Sequence, residues 1–160
     1  MSHLDTAMKA AAFLTSLVIT ANANSAVVPE VLCFTSGGKS PIRFELRTYF
    51  DEDSRLSFGF VKYEKSSKAI PLVLGSMHLE KLAEDAPHEF SISWLEVIDG
   101  KISGTYEKVT QGTQIASMTY TKKMDGKKVG FSFDAGTEFT ENGCRWIREK
   151  PDDRQTKPSQ

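Results

Sequence analysis

The sequence predicts an all-β domain, an eight- or nine-stranded antiparallel β-sandwich or flattened barrel with meander topology and one short helical turn. Two observations predict it. Beyond residue 30 the apolar residues recur with period two, the signature of half-buried strands, and short turn signals punctuate the alternation at regular spacing.

The strands are expected near 31–35, 42–50, 55–64, 69–74, 88–99, 101–109, 113–122, 127–134 and 139–147. Ile42, Phe44 and Leu46 alternate with Arg43, Glu45 and Arg47; Leu56, Phe58 and Phe60 alternate with Ser57 and Gly59; Phe90, Ile92 and Trp94 alternate with Ser91 and Ser93. Val129, Phe131 and Phe133 repeat the pattern, and aromatic and β-branched residues suit such pleated surfaces. Asp51-Glu52-Asp53-Ser54, Asp99-Gly100, Gln111-Gly112 and Asp125-Gly126 separate the runs, the two Asp-Gly pairs being strong hairpin dipeptides. Consecutive hairpins make a meander, and that many strands must stack as two sheets or close. The helical turn is expected within Ser76 to Ala86, where Leu79, Leu82 and Ala83 share a helical face before Pro87.

Residues 8 to 26 have the layout of a secretory signal peptide: Lys9, an apolar run from Ala10 to Ile19, then small residues. Cleavage is expected after Ala23 or Ala26, and Met8 offers an alternative start. The apolar run is shorter than the roughly twenty residues that span a bilayer, so no retained membrane anchor is expected. That divides the chain into a signal (1–26), one β domain (27–149) and a disordered tail (150–160), where no residue from Pro151 onward is apolar. Export makes the domain secreted or periplasmic.

Cys33 and Cys144 are the only cysteines. An even count in an exported chain predicts a disulfide, tying the first strand to the last and contributing about 4 to 5 kcal/mol in the chain-entropy model. Two cysteines without nearby histidines do not build a zinc site, so no metal is expected. The formal net charge is −1, with acids and bases intermixed, and no basic stripe tracks phosphates, so nucleic acid is not an expected partner.

The catalytic inventory is sparse. His78 and His88 stand in no triad or ligand spacing, and nucleophile-elbow and metalloprotease motifs are absent. Gly37-Gly38-Lys39-Ser40 matches the end of a phosphate loop, but Cys33 occupies the position of that motif's first glycine. Asp51, Glu52 and Asp53 read as a solvated hairpin tip. No enzyme activity and no cofactor are therefore expected. Trp94 and Trp146, with Phe58, Phe60, Phe131 and Phe133, are consistent with either an aromatic core or a lipocalin-like ligand cavity.

Ser103-Gly104-Thr105-Tyr106, followed by Glu107-Lys108-Val109-Thr110-Gln111-Gly112, adds a specific element. It resembles the S-G-x-Y and Y-x-x-x-T-K-G elements of the bacterial periplasmic lysozyme inhibitors, closest to those acting on invertebrate-type lysozymes, with Gln111 in place of the lysine. The resemblance implies a loop inserted into a lysozyme's active-site cleft, with Ser103 and Tyr106 donating hydrogen bonds to its catalytic carboxylates. Gly104 would allow close approach, with Thr105, Thr110 and Gly112 completing the binding element. Lysozyme would then be the partner, a homodimer through a strand edge being a further option. The other reading is a lipocalin-like periplasmic carrier of a small apolar ligand.

Overall fold

The computed structural model describes residues 27–146. The expected signal segment, its cleavage sites and the 150–160 tail lie outside the described residues.

Eight antiparallel strands close into one barrel in sequence order: β1 (Val27–Thr35), β2 (Arg43–Asp51), β3 (Leu56–Tyr63), β4 (Ile70–Glu80), β5 (Glu89–Ile98), β6 (Lys101–Gln111), β7 (Gln114–Lys122) and β8 (Lys128–Phe133). The meander is as expected, and closure decides between sandwich and barrel. Each expected hairpin signal lies at a reversal. At the β5–β6 turn Asp99 and Gly100 both have positive φ (50° and 73°), as a primed turn requires, while Gly112 and Gly126 supply the left-handed residues of the next two turns.

Two expectations are corrected. The helical turn over 76–86 does not form: Ser76–Glu80 extend β4, and Met77 and Leu79 pair with Ile92 and Phe90 of β5. A register shift between Leu74 and Ser76 keeps alternation in phase, so Leu74 and Met77 both face inward. The cause is tertiary. A long β5 needs a partner for its backbone groups, and that ladder outweighs a weak helical pattern whose Leu79 and Leu82 end exposed.

The expected ninth strand near 139–147 is instead a separate hairpin, β9 (Glu138–Thr140) and β10 (Gly143–Arg145), which packs on the outside of β1 and β2. Its reversal lies at Glu141-Asn142, where the Asn142 N–H donates to Thr140 Oγ1 at 3.2 Å. Cys144 bonds Cys33 with a Cα–Cα distance of 5.9 Å, enclosing a sequence separation of 111, so the disulfide ties the first strand to the last. The hairpin also covers Glu45. That carboxylate accepts from the Cys144 N–H at 3.0 Å and pairs with Arg47 at 2.8 Å, and Arg47 Nη1 donates to the Glu141 carbonyl at 3.0 Å.

These contacts sit beside the barrel's weakest join. β1 pairs with β2 along its whole length but with β8 only through Phe34↔Phe133 and Thr35↔Ser132. The Asp134 N–H extends that join by donating to the Cys33 carbonyl at 2.8 Å.

Candidate functional site

The inward side chains divide the barrel into a filled half and an open half. In the filled half Phe44 is the hub: it stacks on Phe34 (centroids 5.3 Å), meets Phe131 edge-on (4.8 Å), and tilts against Tyr106 (5.5 Å) and Tyr63 (5.8 Å). Leu46, Val61, Leu72 and Met118 complete this packing.

Within the filled half lies a polar cluster centred on Glu96, which is only 4% exposed. Ser103 Oγ donates to Glu96 Oε1 at 2.7 Å, Tyr120 Oη to Oε1 at 3.0 Å, and Tyr106 Oη to Oε2 at 3.1 Å. Tyr106 and Tyr63 hydroxyls are 2.6 Å apart. Since the Tyr106 proton goes to Glu96, Tyr63 is the donor of that pair, and the chain runs Tyr63 to Tyr106 to carboxylate. Burial is the largest cause pushing all three tyrosine hydroxyls above the ordinary value. Contacts with Glu96 reinforce the rise for Tyr106 and Tyr120.

The cluster absorbs the sequence's Ser-Gly-Thr-Tyr element. Ser103, Gly104, Thr105 and Tyr106 lie within strand β6 and not in a loop, Tyr106 is fully buried, and both hydroxyls expected to face a partner are bonded to Glu96. Gly104 has a steric role of its own: a Cβ there would lie 2.6 Å from Tyr120 Cζ, so the glycine makes room for the Tyr120 ring over the strand. Thr110 bonds the Phe90 carbonyl at 3.3 Å, and Gly112 occupies the β6–β7 turn.

Above the filled layer the barrel opens into a cavity of about 1350 Å³. Leu32, Ile92, Trp94 and Phe131 line its deeper part, and Val28, Phe50, Met77, Phe90, Ile115 and Phe133 its upper walls. Of the aromatics considered for a cavity, Trp94, Phe131 and Phe133 line it. Phe58 stacks on Tyr49 (5.2 Å), Phe60 sits under Arg47 (5.6 Å) and Trp146 sits near Arg43 (6.0 Å), and none of the three lines the cavity.

The cavity wall carries a charge pair that sequence reasoning did not single out. Lys108 Nζ, with its side chain 9% exposed, lies 2.7 Å from Glu30 Oε2, whose side chain is 48% exposed. Thr48 Oγ1 donates weakly to the same oxygen at 3.4 Å. Both charges were legible as breaks in pattern: Lys108 shares the inward phase of Tyr106 and Thr110 on β6, and Glu30 that of Leu32 and Phe34 on β1. Glu96 is a third such break, in phase with Ile92 and Trp94.

No protein family, curated protein or solved structure matches the chain. The site's own geometry therefore carries the functional argument. Among the described residues no group of three His, Cys, Asp or Glu side chains could hold a metal ion, and no helix is long and apolar enough to cross a membrane. The disulfide fits an oxidising, extracytoplasmic compartment. Asp51 accepts from the Asp53 N–H and Ser54 Oγ at the β2–β3 turn, and Gly37-Gly38-Lys39-Ser40 lies in the β1–β2 connection.

Proposed function

We propose that the protein is a lipocalin-like carrier, exported to the periplasm, that holds a small apolar or amphiphilic ligand in the open half of its barrel. The observation that carries this reading is the thinning of the core above the Trp94–Tyr106 layer, where Phe90 and Ile115 are only half-buried and Met77 is exposed. Beyond that layer an apolar-walled cavity exceeds the volume usual for drug-sized ligands. Eight-stranded barrels have the diameter to enclose one small ligand, and a rigid wall of paired strands limits the ordering cost of binding. Export is supported by the leader pattern and the disulfide.

The test is titration of the mature domain, stripped of lipid, with the neutral fluorophore N-phenyl-1-naphthylamine, with Trp94 emission followed in a Trp146→Phe background. Saturable binding that quenches Trp94 is expected. Absence of binding, together with no ligand retained in native mass spectrometry of the unstripped protein, would sink the carrier reading.

The lysozyme-inhibitor reading rests on the match of Ser103-Gly104-Thr105-Tyr106. Against the carrier reading it has a geometric disadvantage, because its two donors already serve a buried internal carboxylate. Its test is bacterial cell-wall lysis by invertebrate, chicken and goose lysozymes with the domain added. Inhibition of one class would restore that reading and name the partner.

A further inference from the structure

We infer that the ligand is a carboxylate amphiphile, with its acid group held by Lys108 in the cavity and its apolar part against Trp94, Ile92 and Phe90. The inference rests on the carrier reading and deepens it.

Lys108 is placed by register. On β6 it pairs with Ile92 of β5 on one side and Met118 of β7 on the other, one inward step above the filled Tyr106 layer. An ammonium has three donors, and the one protein acceptor for Lys108 Nζ among the described residues is Glu30 Oε2 at 2.7 Å. An apolar ligand filling the cavity would take water away from the two remaining donors. Burying an ammonium with unsatisfied donors is costly, so a purely apolar ligand is disfavoured at this depth. A ligand carboxylate supplies the missing acceptors with charge-assisted hydrogen bonds.

Lys108 sets the sign of the head group, and Glu30 limits how much negative charge it can carry. Glu30 is half exposed, so it keeps contact with water when the cavity fills, whereas Lys108 does not. Its charge stands beside the proposed acid group and opposes a second anion, which a monocarboxylate tolerates better than a doubly charged phosphate. A cationic head group would compete with Lys108 for Glu30 and meet like charge in the buried ammonium. The wall from Phe90 to Trp94 spans about 13 Å at the usual strand rise, the scale of an alkyl or polyene chain.

The experiment compares cis-parinaric acid with its methyl ester, using the polyene's fluorescence, on the full mature domain. In the wild-type protein the acid is expected to bind at least tenfold more tightly than the ester. Lys108→Met should abolish that preference by weakening the acid and not the ester, whose affinity should hold or rise once no buried ammonium has to be desolvated, and Glu30→Gln should enlarge the preference by removing the competing charge. Equal affinities of acid and ester in the wild-type protein overturn the inference, as does a preference that survives in Lys108→Met. The wild-type comparison decides the matter even if Lys108→Met fails to fold. Failure of the acid, the ester and the neutral naphthylamine all to bind would instead count against the carrier reading itself.

Discussion

Glu96 is a carboxylate with three hydroxyl donors and, among the described residues, no cation within ion-pair distance. Such a group costs desolvation that its hydrogen bonds must offset, so removing a donor should harm the fold before it harms any function. Ser103→Ala and Tyr106→Phe should each lower unfolding free energy by about 1 to 3 kcal/mol, read from urea denaturation midpoints. Unchanged midpoints would show that the hydroxyls are free for another partner. Gly104→Ala should cost a similar amount, about 1 to 3 kcal/mol, because its Cβ must push Tyr120 off Glu96. The same tyrosines give the fold an alkaline limit. Their folded-state pKa values are raised, so their contribution is fully present below the unfolded tyrosine value of 10.0 and is lost as pH rises above it. Melting temperature should hold up to about pH 9 and fall from about pH 10 upward, and fall less steeply in Tyr106→Phe.

Among the elements, the β1–β8 join matters most, because two residue pairs and one added backbone bond close the ring. The β9–β10 hairpin reinforces this join through the disulfide and the Glu45–Arg47 contacts, one residue away from Phe34. Replacing both cysteines by alanine should lower stability by about 2 to 5 kcal/mol. It should also raise hydrogen exchange most strongly at the β1–β8 pairing, with β5 and β6 little changed, since those strands share a long ladder. Uniform loss of protection would mean the hairpin stabilises the whole barrel and not the join. The hairpin also shows how far local sequence reads: its strand character was legible, but its departure from the barrel was not. That departure depends on Glu45, an outward carboxylate far away in sequence that the hairpin covers.

For the whole molecule, the division into a filled and an open half has a thermodynamic consequence. A ligand that binds only the closed barrel stabilises it by mass action, about 2.7 kcal/mol at a free concentration one hundred times Kd. Cis-parinaric acid should therefore raise the wild-type melting temperature by several degrees, and Lys108→Met should lose most of that shift. No shift in either protein would mean that the open half takes no such ligand.

Much of this was determined by the sequence alone. Period-two alternation in Phe90-Ile92-Trp94 and its counterparts requires half-buried strands, and Asp99-Gly100 and Asp125-Gly126 require tight reversals, because only a few residues tolerate positive φ. The disulfide followed from the even cysteine count, read together with a leader-like pattern ahead of the domain. What each inward face meets was decided only by the tertiary structure. Alternation assigns a side chain to one face of a strand, but what lies opposite depends on sheet closure. Closure turned Ser103 and Tyr106 toward Glu96, drew Ser76–Glu80 into β4, and brought Lys108 and Glu30 together as an ion pair in the cavity lining. Contacts between residues far apart in sequence carry no local signature, beyond a polar residue standing where the apolar phase expects a hydrophobic one.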